Sequence, residues 1–114
     1  MKILLDENID VRLKNYFPDI YEVFTVKDMG WNGLKNGKLL LLLKENNFDA
    51  WIVVDKNIPY QQNVSNLPCI VIVLDVYRNT LKRLLPLIPK ILETMNKLGA
   101  NEIVIVLKKN SNKT

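Results

Sequence analysis

The feature that most constrains the fold is a rhythm. Short apolar runs recur along the chain, and stretches with helical character separate most of them. Lys2 to Leu5, Tyr21 to Val26, Ala50 to Val54, Cys69 to Leu74 and Glu102 to Leu107 have strand length and are rich in β-branched, aromatic or leucine residues. Helices are expected from about Ile9 to Tyr16, from about Asn36 to Asn46, around Ile58 to Asn63, and from Asn79 or Thr80 to about Leu98. The order β-α-β-α-β-α-β-α-β predicts a parallel sheet with helices on both faces. The strands read as continuous apolar runs rather than alternating ones, as two covered faces require. The expected fold class is therefore α/β, a three-layer α-β-α sandwich with a mostly parallel central sheet of about five strands.

Local signals punctuate this order. Asn8 is placed to cap the first helix, and Phe17-Pro18-Asp19 to end it. Lys27 to Gly37 carries Gly30, Gly33 and Gly37 and reads as a loop, with Asp28 at its start and Trp31 beneath it. Pro59 suits the first turn of the short helix. Pro86 and Pro89 should bend or interrupt the first half of the long helix, and Gly99 should stop it. Leu39 to Leu43 points apolar side chains in every direction around a helix axis, so a neighbouring helix or a second copy of the chain should cover the extra face. The second option is the basis for expecting a homodimer. At 114 residues the chain fits one domain, 1–107, with 108–114 a basic polar tail expected to be disordered.

Composition removes whole classes of chemistry. The chain has no histidine, which excludes Ser/His/Asp triads, Cys/His pairs and His-based zinc sites. Its one cysteine, Cys69, allows no internal disulfide and reads as a buried thiol. The longest apolar run is far short of the ~20 residues of a membrane span, and Asp6 arrives too early for a secretory signal. A cytoplasmic location and no membrane partner are expected. The net charge of +4 suits a nucleic-acid partner without requiring one. Any hydrolytic chemistry must then rest on carboxylates, with an oxygen-preferring ion such as Mg²⁺ or Mn²⁺.

The acids fall where such chemistry would need them. Asp6 ends the first strand, Asp28 follows the second, Asp55 ends the third and Asp75 the fourth. In a parallel sheet those ends share one edge, where open α/β sheets bind ligands. Clustered carboxylates repel, by about 4 kcal/mol for a pair ~4 Å apart at an effective dielectric of ~20, unless a cation or a proton intervenes. An aspartate after a strand also caps helices and makes turns. Asp6 and Asp55 form the stronger pair because both directly end apolar strands. Asp6, Asp55 and Asp28 are the catalytic candidates, and Asp6, Asp55 and Asp75 the metal candidates. Glu7, Asn8 and Asn57 can supply neighbouring oxygens, while Arg12, Lys56 and Arg78 can meet phosphates. Tyr60-Gln61-Gln62-Asn63 can contact RNA or solvent, and Trp51 belongs in the core.

Four segments in order resemble the short bacterial PIN-like domains long catalogued as a family of unknown function. They are Ile3-Leu4-Leu5-Asp6-Glu7-Asn8, Val23 to Trp31, Val53-Val54-Asp55-Lys56-Asn57-Ile58, and Leu84-Leu85-Pro86-Leu87-Ile88-Pro89. The resemblance implies a Mg²⁺- or Mn²⁺-dependent endoribonuclease, similar to VapC-type toxins, with RNA as substrate and a small antitoxin protein as partner. It also implies metal-ligand roles for Asp6 and Asp55. One departure stands out: where the family pattern has Gly-(Asp/Glu)-Leu-Leu, this chain reads Gly37-Lys38-Leu39-Leu40. An ammonium at Lys38 can neutralise Asp6 and Asp55 as an ion would. The alternative is therefore a catalytically impaired PIN-like module that binds RNA or a protein. A weaker third reading is a receiver-like domain that handles phosphate.

Overall fold

The computed structural model describes residues 1–54, 67–97 and 103–108. The chain is α/β with a parallel sheet, as the rhythm of runs implies. The strands are β1 (Lys2–Leu5), β2 (Glu22–Thr25), β3 (Ala50–Val53), β4 (Ile70–Asp75) and β5 (Ile103–Lys108). Their order is β2-β1-β3-β4-β5, every pairing is parallel, and β1 lies between β2 and β3. Phe24, Leu4, Trp51 and Val71 stand side by side across four of them.

The pleat sorts the apolar runs into two cores. Ile3, Leu5, Ala50, Ile52, Ile70, Ile72 and Leu74 pack on one face with Leu13, Phe17, Leu84, Leu87, Ile88, Ile91 and Met95. Leu4, Trp51, Val53, Val71 and Val73 pack on the other with Val26, Leu39, Leu43 and Phe48. Successive strand residues point to opposite faces, so an uninterrupted apolar run is what two cores require. Each fully buried Leu or Ile contributes about 1.5–3 kcal/mol of transfer free energy.

The helical elements fit the sequence in part. The first is a 3₁₀ helix, Val11–Tyr16, capped by Asp10 rather than Asn8, with the Asp10 carboxylate accepting from the Arg12 amide at 3.0 Å. The second strand stops at Thr25, because Val26–Met29 forms one helical turn, α1, which takes the last residue of the expected strand and the start of the expected loop. Thr25 and Asp28 cap it reciprocally, and Gly30 ends it at φ 73°, a left-handed conformation that glycine adopts at no steric cost. The helix α2 spans Asn36–Glu45 as expected. Asn47 leaves it in the left-handed region (φ 58°), and the Phe48 amide returns to the Leu43 carbonyl at 3.0 Å.

On α2, Leu39 and Leu43 are buried and Leu40 packs partly against the core, while Leu41 is 48% exposed. Phe48 anchors this face, meeting Phe24 and Trp31 edge-on at 5.8 and 5.9 Å. The prolines break the late helix as expected. The turn α3 covers Leu81–Leu84, a 3₁₀ turn Leu85–Leu87 holds Pro86, and α4 runs Ile88–Lys97 with Pro89 in its first turn. The strand β5 reaches Lys108, the residue the sequence assigns to the tail. The expected helix around Ile58 to Asn63, Gly99 and residues 109–114 lie outside the described residues. Among the described residues no helix is long and apolar enough to cross a membrane.

Candidate functional site

The strand order defines where a ligand belongs. The chain leaves β1 toward β2 on one side and later returns to β3 on the other, so the direction of winding reverses between β1 and β3. In open α/β sheets that reversal opens a crevice at the carboxyl ends of the strands. Asp6 follows β1 at this point. Its amide continues the ladder by donating to the Ile52 carbonyl at 3.0 Å, and its carbonyl accepts from Ile9 at 3.0 Å to begin the turn. Asp6 is half-buried and already has a polar interaction of its own. Asp75 is the last residue of β4, two strands away, likewise half-buried and engaged. The pleat gives Asp6 the parity of Leu4, and Asp75 that of Val71 and Val73. Both therefore belong to the α1–α2 face.

Two hydrogen bonds gather the loops at this edge. Glu7 Oε1 accepts from the Gly33 amide at 3.0 Å, tying the α1–α2 connection to the end of β1. Asn79 Nδ2 donates to the Asn8 carbonyl at 2.6 Å, tying the β4–α3 loop to the same place. Glu7 and Asn8 thus act here as fasteners, Asn8 through its backbone.

Several expected site residues are engaged elsewhere. Asp28 Oδ2 accepts from the Thr25 amide and from Lys14 Nζ, both at 2.9 Å. The Thr25 amide first, and the Lys14 ammonium second, hold the Asp28 carboxyl below its ordinary range. In this fold its carboxylate serves as a helix cap. Arg12 is clamped by Asp10 through Nε at 2.9 Å and Nη2 at 2.6 Å. Those contacts, the side-chain bond foremost, lower the Asp10 carboxyl to about 2. Arg12 thus carries an acidic partner from the cap of its own helix. Lys38 is exposed in the first turn of α2. Asp55, Lys56, Asn57 and Tyr60 to Asn63 lie outside the described residues.

The donors at the edge are carboxylate oxygens, which suit a hard divalent cation. Among the described residues, however, no three acids converge to hold one. Asp6 and Asp75 follow or end the two strands that flank β3. Burial pushes the Cys69 thiol up to about 12, helped by the nearby Asp49 charge, so it is an inert core group. A shallow cleft of about 300 Å³ between the 3₁₀ helix and β2, lined by Lys14, Phe17, Pro18, Asp19, Tyr21 and Val23, contains none of the strand-end acids.

The sequence reading missed the roles of Asp10, Lys14, Asn79 and Tyr77. Tyr77 is 81% exposed, and the guanidinium carbons of Arg78 and Arg83 each lie 5.5 Å from its ring centre. The pattern Thr25-Val26-Lys27-Asp28 did carry a capping signal. The Lys14–Asp28 contact depends on how the 3₁₀ helix lies beside β2, which no local pattern encodes. In comparison with known proteins, no family model, curated protein or solved structure matches this chain.

Proposed function

We propose that this chain is a PIN-like, metal-dependent endoribonuclease, the toxin of a toxin–antitoxin pair, built as a three-layer α-β-α sandwich. The observation that supports this reading most is the position of Asp6, half-buried at the β1/β3 reversal, with Asp75 on the same face at the end of β4. The four segments that resemble PIN-like domains add to it. In this reading Asp6 and Asp55 hold Mg²⁺ or Mn²⁺, with Asp75 assisting. The ion would supply an activated water and stabilise charge developing at phosphorus. The chain's own part is to fix the carboxylates: the Asp6 backbone is held in the ladder by Ile52 and in the turn by Ile9. The ten-residue helix α2 begins near this edge, through the Glu7–Gly33 tie, and its N-terminal end favours negative charge.

The alternative of an impaired module depended on Lys38 as a built-in counter-charge. Asp55, the second acid that Lys38 would neutralise, lies outside the described residues, so metal-dependent cleavage decides between this alternative and the active reading. The strand order β2-β1-β3-β4-β5 is also that of flavodoxin-like folds, which favours phosphate handling as a second reading. Incubation with Mn²⁺ and a single-stranded RNA separates them. Cleavage should appear with metal, vanish with chelator, and fall by more than about 100-fold in Asp6→Asn, the loss of several kcal/mol of charge stabilisation. Unchanged cleavage in that variant rejects the assigned edge. A stable gain of one phosphoryl group from acetyl phosphate, without cleavage, would favour the second reading.

A further inference from the structure

We propose that Tyr77, Arg78 and Arg83 form a docking platform for single-stranded RNA, in which Tyr77 stacks an unpaired base and the two arginines meet the adjoining phosphates. Identifying the occupant as RNA rests on the ribonuclease reading; the platform itself rests on geometry.

An exposed tyrosine alone is ordinary. This one is 81% exposed, more than Tyr16, Ile20 or any other large apolar side chain described as exposed. Two cations are gathered on it from different elements, Arg78 from the loop and Arg83 from α3. At 5.5 Å both lie inside the ~6 Å reach of a cation–π contact. They stand close enough to orient on the ring, yet leave most of it open to a planar ligand. Neither arginine forms an ion pair with a described carboxylate, in contrast to Arg12 and Lys14.

The platform is also held in place. Asn79 ties the loop to the Asn8 carbonyl, Thr80 caps α3 by accepting from the Arg83 amide at 3.3 Å, and Leu84 is fully buried beneath. It begins two residues after Asp75, so an RNA stacked on Tyr77 would lead its backbone to the acidic edge. A flat π-face beside guanidinium groups that pair with no described carboxylate is the chemistry that recognises unpaired bases on a phosphate chain. An acidic peptide would satisfy the arginines but leave the ring without a role. Paired bases cannot reach the ring, so duplex RNA is excluded as the occupant.

Binding of a fluorescent single-stranded oligoribonucleotide to the full chain, in chelator so that nothing is cleaved, tests this. Tyr77→Ala should weaken binding about 10-fold, and Tyr77→Phe should retain it within about 2-fold, because stacking needs the ring and not the hydroxyl. Arg78→Gln with Arg83→Gln should weaken binding and reduce the slope of log K against log salt by about 1.4, two phosphates at ~0.7 each. Circular dichroism should show native helix content in each variant, and Tyr77 and Arg78 are exposed enough to exchange without disturbing the core. Undetectable binding of the oligonucleotide, equal binding by Tyr77→Ala, or preference for a polyglutamate peptide overturns the platform. Cleavage that persists with Tyr77-independent binding leaves the nuclease reading intact while rejecting this one. Tyr77-dependent binding without metal-dependent cleavage does the reverse.

Discussion

The two flanks of Asp6 treat charge in opposite ways. Toward β2, Asp10 clamps Arg12 and Asp28 grips Lys14, so acids and bases are matched at hydrogen-bond distance. Toward β4, Arg78 and Arg83 gather on an exposed Tyr77 and pair with no described carboxylate. The first arrangement closes the ends of helices and leaves little charge for a ligand. The second leaves a basic aromatic surface facing solvent. An aspartate or arginine near the carboxyl edge of a sheet is therefore not a functional residue by position alone. What matters is whether local backbone groups have already claimed it.

If the flanks differ in charge but share one scaffold, their anchors should matter alike. Leu13 of the 3₁₀ helix and Leu84 of α3 are both fully buried in the same core. Leu13→Ala and Leu84→Ala should each cost about 2–5 kcal/mol, read from denaturant midpoints at unchanged slope. A much smaller cost for one would show that its flank is only loosely attached, and the comparison would then be one of order rather than charge.

The next effect separates the two kinds of aspartate. Asp28→Ala removes half of a reciprocal cap and the Lys14 contact, and should destabilise by about 1 kcal/mol. In the proposed ribonuclease reading, cleavage by the folded fraction should stay within about 2-fold, against the large loss expected for Asp6→Asn. A loss of cleavage in Asp28→Ala as large as in Asp6→Asn would give Asp28 a role beyond the cap.

How far these roles were legible follows from the same contrast. The strands were plain in the sequence because β1, β3 and β4 bury both faces, which writes burial as runs such as Ile70 to Leu74. The breaks at Pro86 and Pro89 were plain because proline lacks an amide hydrogen. The start of the first helix was not, since Asn8 and Asp10 are both capping residues and only the Arg12 clamp decides between them. Asp28 was read as a loop residue because three following glycines masked the Thr25–Asp28 cap. Tyr77 and Arg83 are six positions apart, and they meet only because the loop turns at Thr80 into α3.

Acid titration reaches the paired flank selectively. The carboxyls of Asp10 and Asp28 both ionise more readily in the folded chain than in the unfolded one, whose aspartates titrate at about 4. A depressed folded value means that the stabilisation is complete above the unfolded value and fades as pH falls through the folded one. The stability gap between the wild type and Asp28→Asn should thus be constant from neutral pH down to about 5 and narrow below about 4. A gap that stayed constant well below pH 4 would mean that the carboxylate charge does not carry the contact.

The smallest effect divides one ion pair into unequal halves. Asp10 performs two tasks, accepting from the Arg12 amide as helix cap and from its guanidinium as ion pair. Arg12→Gln removes only the second, and an exposed ion pair contributes little against side-chain entropy and screening. Asp10→Ala removes both, and leaves the first amides of the 3₁₀ helix without a side-chain acceptor. The melting temperature should therefore fall more in Asp10→Ala than in Arg12→Gln, and Asp10→Asn, which keeps an oxygen for the cap, should resemble Arg12→Gln. Raising the salt concentration should shrink the deficit of Arg12→Gln while leaving most of that of Asp10→Ala, because screening weakens the charge pair and not the cap. Equal deficits that vanish together in salt would mean that this flank is held by charge alone, and its contrast with the Tyr77 side would then be one of pairing rather than of capped backbone.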